Sequence, residues 1–343
     1  MAGMKAMVLT GPGELKLDEV AKPSAGGEDV LVKVTHSGIC GTDYKIFNGS
    51  IPVRYPRIMG HEMAGEVVEP GDSTLRAGER VIVDPELYCG NCFHCRIGQT
   101  HLCPNGQLLG RDANGGFAEY LAAPKSQVFP LPDSIGRNAA PIIQVLTTCL
   151  HAQRQVDIFP GEYVVVQGLG VTGQLHVQLA KARGATVIGV TRSAEKRALA
   201  ETLGADLTIP GDDSAVKKVR DATEGRGADM VIETTGFVPQ LAAGINMTRS
   251  GGRVLMFGII TAKEGALPFY DLYFKEISLI NARVAKSEDY PGAIGLVERG
   301  LVRLEPLISD VMPLGELKAA IGMLGSDGGG QRMKIVLDHG GGP

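Results

Sequence analysis

Apolar and polar positions change their rhythm partway along this chain. Up to about residue 148 the apolar positions come in short β-leaning runs, such as Val30-Leu31-Val32-Lys33-Val34 and Arg80-Val81-Ile82-Val83, set among glycines and prolines. Short runs bounded by turn formers predict strands, so this part reads as mainly β. After Pro160-Gly161 strand-like runs alternate with stretches of helical period: a strand over Tyr163-Val164-Val165-Val166, a helix over 174–183, a strand over 185–191 and a helix over 194–203. The alternation continues through Asp229-Met230-Val231-Ile232-Glu233, a helix near 240–248 and a strand over 253–258. Strands alternating with helices build a doubly wound parallel sheet from βαβ units. The expectation is an α/β protein with that sheet over residues 149–284 and a mainly β domain made from 1–148 and 285–343. The last segment is helix-rich and closes on the strand Met333-Lys334-Ile335-Val336-Leu337, which returns to the first domain. Gly328-Gly329-Gly330 and Gly340-Gly341-Gly342 read as flexible turns and a frayed end.

Composition narrows the class of function. The chain has 343 residues, 44% hydrophobic and 21% charged, with a net charge of −4. That balance suits a soluble globular protein of two domains, and the absence of a long charge run argues against nucleic acid or membrane partners. No apolar run reaches the roughly 18 residues of a spanning helix, and the start MAGMKAMVLTGPGELKL lacks a secretory apolar core. Six cysteines, four of them in metal spacing, point to a reduced, cytoplasmic chain rather than a disulfide-stapled one.

Those four are Cys89, Cys92, Cys95 and Cys103, spaced Cys-x2-Cys-x2-Cys-x7-Cys. Four soft thiolates on a short loop suit tetrahedral zinc, with an iron-sulfur cluster as the alternative. A zinc ribbon binding nucleic acid would need a basic face, and the loop offers only Arg96 and Arg111.

Gly168-Leu169-Gly170-Val171-Thr172-Gly173 follows the strand at 163–166 and opens a helix. Glycines there let the backbone approach a pyrophosphate seated on the positive helix end. A site for NAD usually carries an acid about 20 residues further on, at the end of the second strand. Here that strand ends Thr191-Arg192-Ser193, with Lys196 and Arg197 nearby, which favours NADP with its 2′-phosphate over NAD. A second constellation joins Cys40, in Gly38-Ile39-Cys40-Gly41-Thr42-Asp43, to His61 and Glu62, in Gly60-His61-Glu62-Met63-Ala64-Gly65. Thiolate, imidazole and carboxylate are competent ligands for a zinc with one open position.

With these segments in order, together with Gly116-Phe117-Ala118-Glu119-Tyr120, the chain resembles the zinc-dependent medium-chain alcohol dehydrogenases, in their polyol, sugar and threonine dehydrogenase branch. The resemblance implies a GroES-like catalytic domain from both chain ends around a Rossmann domain. It implies two zinc ions per chain, one structural in the four-cysteine lobe and one catalytic, and a homo-oligomer, tetramer or dimer. The activity implied is hydride transfer between a small-molecule alcohol and a nicotinamide cofactor. By the same resemblance Cys40, His61 and Glu62 hold the catalytic zinc, Asp43 orients the histidine, and Thr42 receives the substrate proton.

Lys334 matches a basic position near the cofactor phosphates. Gln144 falls at the last metal position, where relatives carry cysteine or an acid. Its amide either ligates zinc or lines the site and hydrogen-bonds substrate or water. Lys45 stands where some relatives place a relay histidine and reads as a solvent-facing residue. The absence of tryptophan and an aromatic fraction of 5% favour a small or polar substrate without naming it. The resemblance, in which some sugar dehydrogenases carry glutamine at the place of Gln144, implies secondary alcohols of polyols or sugars as donors. An NAD-dependent enzyme of the threonine dehydrogenase kind and a cofactor-binding scaffold without catalysis are the alternatives. Cys149, with no partner in metal spacing, is expected to be a small buried residue.

Overall fold

The structure, a computed structural model, describes residues 3–326 and 332–340. The turn expected over Gly328-Gly329-Gly330 and the end at Gly341-Gly342 lie outside them. The chain divides into two compact units, one of residues 1–145, 286–298 and 304–343, the other of residues 146–285 and 299–303.

The first unit is built on a seven-stranded sheet whose central strand, Asp29–Gly38, pairs with Glu62–Glu69, Tyr120–Pro124 and Lys334–Asp338. Ile308–Pro313 extends the sheet beyond Lys334–Asp338. Asp29–Gly38 is buried along nearly its whole length, which is why it reads as a near-continuous apolar run rather than an alternating one. One core packs Val32, Val34, Met63, Val81 and Leu121 on this sheet. A second packs Met7, Leu9, Ile46, Phe117 and Leu337 near a smaller sheet of Glu14–Ala21, Gly3–Gly11 and Arg57–Ile58.

The second unit holds six strands, ordered Leu207–Pro210, Thr186–Thr191, Tyr163–Gln167, Ala228–Glu233, Thr248–Met256, Ser278–Asn281, every neighbouring pair parallel. Apolar clusters lie on both faces under the crossover helices, as a doubly wound sheet requires. Strand order reverses at Tyr163–Gln167, and Gly168 to Gly173 leave its carboxyl end, the place where such sheets bind ligands. The helix after the glycines spans Val171–Ala182, starting three residues earlier than the sequence suggests, because Gly173 lies within its first turn. Residues 299–303, assigned from sequence to the first domain, pack with this unit. The Arg303 N–H donates to Gln178 Oε1 at 2.7 Å, and its carbonyl accepts from Gln178 Nε2 at 3.1 Å. No helix among the described residues is long and apolar enough to cross a membrane.

Candidate functional site

Strand pairing assembles the first constellation. Strand Asp29–Gly38 ends just before Cys40, the N-cap of helix Gly41–Phe47, and Glu62–Glu69 runs back beside it with Glu62 opposite Gly38. One ligand atom each from Cys40, His61 and Glu62 consequently lie within 4.8 Å of one another. Gly60 supplies the turn into His61: its φ is 94°, and a Cβ there would stand 2.6 Å from the Phe117 ring.

Asp43 ties this group together from the first turn of the helix. Fully buried, it accepts the Cys40 N–H through Oδ2 at 2.8 Å, and its Oδ1 lies 3.4 Å from His61 Nδ1. That second contact is too loose to satisfy either atom, and both are buried without a hydrogen bond. The other imidazole nitrogen is left for an ion, with the carboxylate behind the ring, an arrangement common to metal-ligating histidines. Burial pushes the His61 pKa down, but the charges of Asp43 and Cys40 outweigh it and hold the imidazole well above its ordinary value. Burial pushes the Cys40 thiol up, yet His61, aided by Lys334 against Glu62, brings it below its ordinary value. The thiolate is the form that binds metal, so this donor set fits zinc.

Lys334 enters from a distant part of the chain. It opens strand Lys334–Asp338, in which Val336 faces Gly38 antiparallel, and this register carries Lys334 to the level of Cys40. Its ammonium is buried and donates to both Glu62 oxygens, at 2.8 and 2.7 Å, and to the Ile39 carbonyl at 3.1 Å. The strand lies inside the sheet, between Asp29–Gly38 and Ile308–Pro313. Its charge is turned to Glu62; the resemblance implies a basic residue here near the cofactor phosphates. Thr42 is half-buried at the start of its helix and Lys45 is exposed. Gln144 lies in the first turn of helix Ile142–Arg154, 9% exposed.

The four lobe cysteines converge as their spacing suggests. Cys103 Sγ lies 3.5 Å from Cys89 Sγ and 3.8 Å from Cys92 Sγ. These separations are too long for a disulfide and close to the roughly 3.8 Å edge of a tetrahedron with 2.3 Å zinc–sulfur bonds. Cys92 caps the helix Phe93–Arg96, accepting from the Cys95 N–H at 3.5 Å. Backbone N–H groups of Asn91 and Cys92 draw the Cys89 thiol down to about 6, while burial and the neighbouring thiols hold Cys95 up at about 12. Four thiols converging on one short loop make a donor set that fits a closed structural zinc. Cys149 is buried, with its thiol pushed up by burial.

In the second unit, a Cβ on Gly173 would overlap the Gly168 carbonyl oxygen, whereas one on Gly170 would meet nothing within 4 Å. Gly173 thus closes helix against strand, and Gly170 leaves room above the helix end. Gly170 caps helix Val171–Ala182 without a side-chain bond, so the first-turn N–H groups, including those of Val171 and Thr172, stay available to an anion. At the end of strand Thr186–Thr191, Arg197 Nη1 donates to the carbonyls of Thr191 and Arg192 at 2.9 Å each. Ser193 Oγ accepts the Lys196 N–H at 3.2 Å, fixing the next helix. Arg192 is exposed, and its side chain makes no hydrogen bond or ion pair among the described residues. This strand end and the Gly170 opening fit a dinucleotide.

Comparison with known proteins identifies the family. Residues 26–133 match the family described as "Alcohol dehydrogenase GroES-like domain" and residues 171–299 the family described as "Zinc-binding dehydrogenase". A sorbitol dehydrogenase of Halalkalibacterium halodurans is 32% identical over 342 residues, covering 97% of this chain and 99% of that protein. An L-threonine 3-dehydrogenase of Pyrococcus horikoshii is 34% identical, covering 89% and 90%. Among solved structures, a zinc-binding dehydrogenase from Sinorhizobium meliloti 1021 bound to NADP superposes with a TM-score of 0.91 at 33% identity, covering 98% of this chain and 100% of that one. The chain belongs to the zinc-binding alcohol dehydrogenase family, oxidoreductases that work with zinc and a nicotinamide cofactor.

Proposed function

We propose that this protein passes hydride between a secondary alcohol of a small polyhydroxylated metabolite, a polyol or sugar, and a nicotinamide cofactor, with NADP preferred to NAD. The observation that carries the reading is the grouping of Cys40, His61 and Glu62 within 4.8 Å, three donors suited to a zinc with one position open to substrate. When bound there, zinc supplies Lewis-acid stabilisation of negative charge on the substrate oxygen. The chain's own residues do the rest. Cys40, His61 and Glu62 hold the ion, and Asp43 sets the imidazole from behind. Thr42 receives the substrate hydroxyl proton and passes it to water or the cofactor ribose. Gln144 ligates zinc, or hydrogen-bonds substrate or water beside it. The helix end at Gly170, Val171, Thr172 and Gly173 seats the pyrophosphate, and Arg192 meets the 2′-phosphate from a strand end that Arg197 stiffens.

Three further features accompany this reading. The lobe of Cys89, Cys92, Cys95 and Cys103 holds a second, structural zinc, making two per chain. Six cysteines without a disulfide suit a cytoplasmic setting. The chain assembles as a homo-oligomer. Supporting that, Phe269, Tyr270, Tyr273 and Phe274 are 63–78% exposed on helix Phe269–Phe274, and Ser278–Asn281 is an edge strand of the parallel sheet.

The test is a panel of polyols, aldoses, amino alcohols and simple alcohols assayed with both cofactors, with zinc counted on the purified protein. Polyol turnover with a higher kcat/KM for NADP and two zincs per chain is expected. Strong NAD preference sinks the cofactor assignment, and turnover of threonine with NAD favours an enzyme of that kind, in line with the 34% identical relative. One zinc and no turnover would mean a scaffold. Gln144→Ala with unchanged zinc content argues against its ligation.

A further inference from the structure

A cavity of about 690 Å³ in the first unit holds more positive charge than this chain neutralises. Arg54, Arg57, Asn105, Gln107, Arg111 and Asp112 line it. Arg111 is satisfied by Asp112, with Nε and Nη2 at 3.0 and 2.7 Å from Oδ2. Arg57 is not. Its Nη1 donates to Asn114 Oδ1 at 3.3 Å, while its Nε is buried with no partner. Arg54 is exposed and its guanidinium is unpaired among the described residues. Three guanidiniums face Asp112 in the lining and the charge of Glu86 behind Arg111, which leaves one positive charge uncompensated around the cavity. Burial and, behind it, the Arg54 charge push the Arg57 pKa below its ordinary value, with Asp112 working against them. A buried donor without an acceptor is destabilising, and an arriving anion relieves it.

The cavity adjoins the segment that ends in His61. Arg57 precedes His61 by four residues, so at 3.3–3.6 Å per residue their Cα atoms stand at most ~14 Å apart. Past Asp112, which lines the cavity, the chain turns back along the same segment. Gly115 N–H donates to the Ile58 carbonyl at 2.8 Å, Phe117 N–H to that of Met59 at 3.0 Å and Gly116 N–H to that of Gly60 at 2.9 Å. A sugar-sized chain, added to an arginine's own reach, covers a span of that order. Guanidinium forks bind carboxylate or phosphate with paired hydrogen bonds, and the amides of Asn105 and Gln107 can take hydroxyls.

We propose that Arg54, Arg57 and Arg111 form a subsite for the anionic end, carboxylate or phosphate, of a polyhydroxylated substrate whose carbinol reaches Cys40, His61 and Glu62. The inference rests on the dehydrogenase reading above and sharpens its substrate class to sugar acids or sugar phosphates.

A pentitol, the matching pentonate and the pentitol phosphate are compared as substrates for the wild type, Arg54→Met, Arg57→Met and Arg57→Lys. The expected result is a wild-type preference for one anionic substrate, with the carboxylate and phosphate arms telling which. Its kcat/KM relative to the neutral pentitol should fall about 10- to 100-fold in Arg57→Met and Arg54→Met, mainly through KM, as expected for one charge-assisted contact. Arg57→Lys should restore part of it. A second readout needs no turnover: inorganic phosphate should raise the thermal midpoint of the wild type saturably and fail to do so in Arg57→Met. Saturable, arginine-dependent phosphate binding without any alcohol turnover would sink the dehydrogenase reading and keep the anion site. The absence of an anion preference together with phosphate-insensitive melting, or an equal loss on neutral and anionic substrates, overturns the subsite.

Discussion

Replacing Lys334 by methionine isolates the worth of its buried ion pair with Glu62 among the candidate zinc ligands. Methionine keeps most of the side-chain volume, so the cavity cost is small. What remains is Glu62, 1% exposed, stripped of an ammonium that touches both of its oxygens at 2.8 and 2.7 Å. Breaking a buried pair by removing one partner costs about 3–5 kcal/mol, because the surviving charge stays buried and unpaired. For a unit of this size each kcal/mol moves the midpoint by about 2–4 °C, so the variant should melt roughly 6–20 °C lower. The assay is thermal unfolding of metal-stripped wild type and variant side by side, which removes zinc ligation from the comparison. Adding Glu62→Leu to Lys334→Met should recover most of the loss, since an apolar pair in place of a buried ion pair is near neutral. A single variant melting within about 2 °C of the wild type would refute the reasoning, as would a double variant no better than the single one.

Two further perturbations test other parts of the fold. Asp84 is buried, accepts the Ser287 hydroxyl at 2.7 Å and the Glu86 N–H at 3.1 Å, and is raised by burial from 3.8 to about 6. Because the folded value lies above the unfolded one, the folded state holds the extra proton between those limits, and stability contributed by Asp84 falls as pH rises from about 4 to 6. Asp84→Asn should remove that slope, of at most about 3 kcal/mol, in urea midpoints taken from pH 4 to 8; a slope identical to wild type would sink the assignment. In the glycine turn, Gly173→Ala should lower stability and cofactor affinity together, since its Cβ overlaps the Gly168 carbonyl. Gly170→Ala, with open space and a φ of −70°, should melt like wild type while weakening nucleotide binding in a fluorescence titration. Equal behaviour of the two variants would remove the distinction between packing and ligand room.

Local signals were the legible ones. The cysteine spacing, the strand–glycine–helix run and the βαβ alternation each lie within a few dozen residues, and each describes one turn or one crossover that forms from its own sequence. Register is another matter. Glu62 and Lys334 are 272 residues apart, and their meeting depends on Val336 falling opposite Gly38 rather than one place along. A one-residue slip would have turned Lys334 to the other face of the sheet. Local reading also failed at Thr248–Met256, where the strand begins five residues earlier than its apolar stretch and passes through Gly251 and Gly252 with a register shift against its neighbour.

Yet Lys334 carried a usable signal, a lone cation at the head of the apolar run Ile335-Val336-Leu337, and a charge in a buried strand demands a counter-charge. The same rule extends to Arg57, which sits beside Ile58 in a two-residue strand just ahead of His61. Lys334 finds its complement within the chain; the buried Nε of Arg57 finds none, and the neighbouring free guanidinium of Arg54 adds to the excess instead of cancelling it. A guanidinium nitrogen that the fold buries and leaves without an acceptor is answered by what binds there, so in the proposed subsite the acceptor that completes the Nε of Arg57 belongs to the ligand.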